Sequence, residues 1–134
     1  MSDSITQEDF REDNVAKAIV DSAFAVHKYF GPGLLESVYE AALNAELSKR
    51  GIETIRQKSF PIIYDGIELD QKFRLDLLVE DRVIVELKTV DKILPIHEAQ
   101  ILSYLRLTKK RLGLIINFNV PLLKDGIKRV VLRK

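Results

Sequence analysis

The chain has 134 residues, no cysteine and a net charge of +1, with 46% hydrophobic and 31% charged residues. That length suits one domain, which buries roughly two thirds of its unfolded surface and can fold without cross-links. The composition excludes a disulfide scaffold, a thiolate metal site, a cysteine nucleophile and the strongly basic class of nucleic-acid binders.

No apolar run approaches the ~20 residues that span a bilayer. The stretch 1–11 is polar and acidic, without a secretory signal, so the expectation is a cytoplasmic protein with no membrane partner. The balanced total hides an asymmetry. Residues 1–13 hold five acids and one base, whereas residues 106–134 hold nine bases and one acid. The basic end suits either a phosphate backbone or a solvated lysine-rich surface.

In chain order, residues 1–13 read as a flexible N-terminal tail with room for a short helical turn, and residues 14–134 as a single domain. Val15, Ala18, Ile19, Ala23, Val26 and Phe30 recur at helical spacing behind Asn14, a candidate cap. Gly31-Pro32-Gly33 breaks that helix, and a second spans 34–49 and ends at Gly51. Strands are expected at 59–64, 67–69, 73–79 and 83–89, with Asp65-Gly66 as a hairpin turn. Pro95 opens a third helix over 95–108. The apolar run 112–118 fits a buried strand, and 126–132 a last edge strand. The order is α-α-β-β-β-β-α-β-β, an α/β fold with helices on one or both faces of a mixed central sheet.

The chemistry concentrates in two apolar strands that each carry charge in their interior. Phe73-Arg74-Leu75-Asp76-Leu77-Leu78-Val79 is followed by Val83-Ile84-Val85-Glu86-Leu87-Lys88. Buried charges need partners or an ion. Glu86 and Lys88 share one strand face, with Val83, Val85 and Leu87 on the other. For Asp76 to share the Glu86 face, the connection near residues 80–82 must be an odd-length loop or a bulge. Two carboxylates and a lysine at one end of a sheet suit a hard cation and an oriented water. The alternative is a surface ion pair of Lys88 with Glu86 or Asp76.

Asp76, a gap, and then Glu86-Leu87-Lys88 resemble the core of the PD-(D/E)XK nuclease superfamily. Gln100-Ile101-Leu102-Ser103-Tyr104 resembles the Gln-x-x-x-Tyr helix motif of its RecB-like branch. Gly33-Leu34-Leu35-Glu36-Ser37-Val38-Tyr39 is similar to the signature of the GxxExxY protein family, as are His97-Glu98-Ala99-Gln100 and Ile115-Ile116-Asn117-Phe118. The likeness covers roughly residues 14–132. It departs from the superfamily name in having Leu75, not proline, before Asp76.

The resemblance implies a restriction-endonuclease-like α-β-β-β-α-β core. It implies Mg²⁺ or Mn²⁺ held by Asp76, Glu86 and the Leu87 carbonyl, with Glu36 as an added acid. Lys88 would hold or activate water, and Gln100 and Tyr104 would support the site or touch substrate. At ~100° per residue, His97, Gln100 and Tyr104 fall within about 60° of one another. His97 reads either as a helix cap or as a catalytic group, and His27 as structural. Arg74 suits phosphate or an ion pair with the carboxylates. Lys92 and Arg106 are candidates for a nucleic-acid path, as are Lys109, Lys110 and Arg111.

The expected function is metal-dependent hydrolysis of DNA or RNA. The alternatives are a non-catalytic module that keeps the nuclease fold and binds nucleic acid or protein, and a structural domain of an oligomer. A homodimer is the assembly expected of a small nuclease that cuts both strands.

Overall fold

A computed structural model describes residues 7–133, apart from the side chains of residues 8 and 9. Three helices and five strands run in the order α1 (Gln7–Phe30), α2 (Glu36–Lys49), β1 (Thr54–Tyr64), β2 (Ile67–Val79), β3 (Val83–Lys88), α3 (Pro95–Thr108), β4 (Leu112–Asn117) and β5 (Ile127–Val131). A 3-10 turn, Leu123–Gly126, precedes β5. The strands lie in the order β1-β2-β3-β4-β5. The β3–β4 pair is parallel and the other pairs are antiparallel. From α2 to β4 this is the α-β-β-β-α-β core of a restriction-endonuclease-like α/β fold.

Two apolar layers fix the sheet. Ala16, Ile19, Ala23 and Val26 of α1, with Leu43 and Leu47 of α2, pack on Leu77, Val79, Val83, Val85 and Leu87. On the other face Ile101 and Leu105 of α3 pack on Leu75, Leu78, Ile84 and Ile115. Helices therefore cover both faces, and β3 and β4 are buried on both sides, as their near-continuous apolar sequence requires.

Three expectations need correction. The first helix starts at Gln7, not behind Asn14, so residues 7–13 are helical rather than tail; residues 1–6 of that tail lie outside the described residues. Glu12 pairs with Arg111 at 2.8 Å and Asp13 with Arg129, which ties the first turns of α1 to the basic C-terminal segment. The strands expected at 67–69 and 73–79 are one strand, because Asp70, Gln71 and Lys72 continue the extended backbone in an exposed ribbon paired with β1. The β1 strand itself begins at Thr54, five residues earlier than the apolar pattern suggested.

The basic C-terminal quarter is partly spent inside the molecule. Lys110 meets Asp81 at 3.1 Å and Lys128 meets Glu98 at 3.5 Å, beside the two arginine pairs above. Among the described residues, no helix is long and apolar enough to cross a membrane.

Candidate metal centre

The connection from β2 to β3 is the three-residue loop Glu80-Asp81-Arg82, bounded by the pair Val79–Val83. Glu80 and Asp81 both take left-handed backbone, φ 53° each, which closes the tight turn. The odd loop carries the register on to set Asp76 across from Glu86, as the strand faces demanded. The regular ladder ends at Leu77–Val85.

Beyond that point side chains replace the ladder. The Asp76 backbone N–H donates to Glu86 Oε2 at 2.9 Å, and the Leu87 N–H donates to Asp76 Oδ2 at 2.8 Å. Each carboxylate is anchored through one oxygen to the opposite strand. Among the described residues, Asp76 Oδ1 has only a long contact, 3.4 Å, from Gln57 Nε2. The Leu87 carbonyl leaves its strand on the same edge as its N–H, the edge that Asp76 occupies.

Strand β2 also changes phase here. Phe73 and Leu75 pack toward α3, whereas Leu77 and Val79 pack toward α1 and α2. Residues two apart on a regular strand share a face, so the chain twists at Asp76. Across from it, between the pairs Arg56–Leu77 and Lys58–Leu75, Gln57 sits in left-handed backbone at φ 52°.

The first turn of α2 brings a further acid. Gly31 and Gly33 have φ of 68° and 106°, conformations open to glycine, and shape the loop before the helix. The buried Tyr39 hydroxyl donates to the Gly31 carbonyl at 2.5 Å and accepts from the Leu34 N–H at 3.1 Å. Its ring stacks on Phe118 at 4.5 Å. The tyrosine thus pins the loop that delivers Glu36 to the start of α2. Glu36 is close enough to feel the charges of Asp76 and Lys88.

Electrostatics make these groups one site. Burial, then the Asp76 charge, pushes Glu86 from 4.5 up to about 8. Burial and the Glu40 charge raise Asp76 against the Leu87 hydrogen bond and the opposing pull of Lys88. Desolvation, then Asp76, raises Glu36. Lys88 is half-buried beside all three, and it makes no ion pair or hydrogen bond among the described residues. The alternative of a surface ion pair with Glu86 or Asp76 is therefore not what the fold contains.

Tyr104 joins from α3. Its ring stacks on Phe73 at 4.9 Å, and desolvation, then the charges of Glu86 and Asp76, raises its hydroxyl. Gln100 lies one turn earlier on α3 and is exposed. His97 is a cap: its Nδ1 accepts from the Leu94 N–H at 3.0 Å. His27 is structural, with Nε2 at 2.8 Å from the Val120 carbonyl. Arg74 is exposed two residues before Asp76 and makes no ion pair among the described residues. Lys92 is exposed in the segment after β3. Arg106 is exposed too, but lies ~200° around α3 from Tyr104 and leaves the site's face.

Glu40 and Gln57 were not among the sequence candidates. Glu40 is buried, with its Oε2 held by Arg56 Nε and Nη2 at 3.1 Å each, and its Oε1 by Gln57 Nε2 at 2.6 Å. The available signal was its position one turn after Glu36 and next to Tyr39.

No group of three His, Cys, Asp or Glu side chains among the described residues is arranged to hold a metal ion. The donor set nonetheless suits Mg²⁺, which binds through one or two carboxylates and keeps several waters. Two carboxylates anchored on adjacent strands, beside a backbone carbonyl, match that donor set.

The sequence matches the model of the PD-(D/E)XK nuclease superfamily over residues 13–130. A solved structure of a protein called SSO0001 is similar, with a TM-score of 0.55 and 20% identity. The likeness covers 90% of this chain and 61% of that one, so the chain spans about three fifths of that relative. At this identity the likeness speaks for the fold alone. No curated protein matches the sequence.

Proposed function

The chain belongs to the PD-(D/E)XK nuclease superfamily, and from that premise we propose that it hydrolyses phosphodiester bonds of DNA or RNA at Asp76, Glu86 and Lys88. The observation that carries this reading is the crossed anchoring of Asp76 and Glu86 to each other's strands beside a Lys88 that makes no ion pair among the described residues. A purely structural site would pair that lysine.

Asp76, Glu86 and the Leu87 carbonyl would hold Mg²⁺ or Mn²⁺, with Glu36 as a further acid. A bound divalent ion supplies charge neutralisation at the phosphate and a water of lowered pKa. Lys88 orients that water and adds positive charge where the phosphate gains negative charge. Tyr104 and Gln100 line the approach from α3, and Arg74 and Lys92 hold flanking phosphates. The pinned Gly33–Glu36–Tyr39 loop supports membership of the GxxExxY family, and Gln100 with Tyr104 supports the RecB-like branch.

The test is incubation of the pure protein with labelled single- and double-stranded DNA and RNA in Mg²⁺, Mn²⁺ or EDTA. Cleavage of at least one polymer with a divalent ion, and none in EDTA, is expected. Intact polymers under every condition would contradict the reading.

A further inference from the structure

The Arg56–Glu40–Gln57 chain ends on the one oxygen of Asp76 that the backbone does not hold. Arg56 holds Glu40 Oε2 through two N–H groups, which keeps Glu40 from turning toward the other carboxylates. Its remaining oxygen takes a strong 2.6 Å bond from Gln57 Nε2. A carboxylate only accepts, so this bond fixes which end of the amide carries hydrogen. The second N–H of the same nitrogen is then left for Asp76 Oδ1, 3.4 Å away. Catalytic hydrogen bonds are often long until the site is loaded.

The backbone is bent to make this possible. Gln57 is a non-glycine residue in left-handed backbone within a strand, a conformation that L-residues seldom adopt. It lies opposite the point where β2 changes phase. Such conformations gather where geometry matters for function.

We propose that Gln57, held in its orientation by Glu40 and Arg56, is a positioning residue that aims Asp76 Oδ1 at the divalent cation. The proposal rests on the metal-dependent reading above. Partners that orient a metal ligand are commonly worth 10–100-fold in affinity.

Gln57→Gly and Gln57→Asn test it. Both residue types tolerate left-handed backbone, and neither reaches both carboxylates. Mn²⁺ affinity is measured by titration calorimetry on the whole chain, beside the melting temperature. Where the wild type cleaves, the Mn²⁺ concentration for half-maximal rate is read at saturating polymer. The expected result is a loss of Mn²⁺ affinity of about tenfold or more at an unchanged or higher melting temperature. The half-maximal Mn²⁺ concentration should rise while the KM for polymer stays fixed. Affinity within twofold of wild type in both variants would overturn the proposal. Unfolding of both would also overturn it, because the role would then be structural. A wild type that binds no Mn²⁺ would overturn the metal-dependent reading itself, and the proposal with it.

Discussion

Glu86 is buried in the middle of the sheet, with its carboxyl pushed from 4.5 up to about 8 by desolvation and by Asp76. Between those values the folded chain keeps a proton that the unfolded chain has released. The stabilisation is therefore complete below about pH 4.5 and lost as pH rises toward 8. Asp76 and Glu36 are shifted in the same direction. The melting temperature of the protein in EDTA should fall from pH 5 to pH 8, and Glu86→Gln should flatten much of that fall. An equal fall in the variant would show that Glu86 is not the group responsible. Asp76, Glu86 and Lys88 stood out in the sequence because charge inside an apolar strand is anomalous, and it was their resemblance to the superfamily motif that made them candidates. Gln57 was not, since a glutamine in a polar stretch gives no sign of a positive φ or of its partner on α2. Glu40 resembled any helical glutamate until its burial and its bond to Arg56 were seen.

At the scale of elements, the site depends on three joints: the loop before α2, the β2–β3 turn and the twist at Asp76. Tyr39 controls the first through two hydrogen bonds and a stacked ring. Tyr39→Phe keeps the stacking and removes both bonds, so it should cost about 1–3 kcal/mol in denaturant unfolding, as lost hydrogen bonds do. An unchanged midpoint would mean that the loop is held by other contacts. Helices were readable from period and punctuation, and the bounds expected for the third, 95–108, match α3. The odd β2–β3 loop followed from requiring Asp76 and Glu86 on one face. The outer part of the β1–β2 ribbon was misread because residues 65–72 are all exposed and carry little of the alternation that marks a half-buried strand. The early start of α1 escaped notice because its anchors, Arg111 and Arg129, are about a hundred residues away in sequence.

For the whole molecule, four of the nine bases in residues 106–134 are spent on acids of the same chain. Lys110, Arg111, Lys128 and Arg129 hold acids of the same chain and do not form a ready phosphate-binding face. Exposed Arg74 and Lys92, with half-buried Lys88, are the cations that the proposed function assigns to polymer. About three phosphate contacts give a shallow salt dependence, a log–log slope near −2 to −3. Arg74→Ala should reduce its magnitude by about one, and a slope unchanged in the variant would remove Arg74 from the path. Sequence could count the basic residues but not their partners, because every one of those pairs joins residues distant in the chain. The most direct measurement is the Mg²⁺-dependent cleavage rate of the wild type beside Asp76→Ala and Lys88→Ala, each shown to be folded. The account predicts cleavage by the wild type and a loss of about a hundredfold or more in both variants. Cleavage that survives either substitution at the wild-type rate would contradict it.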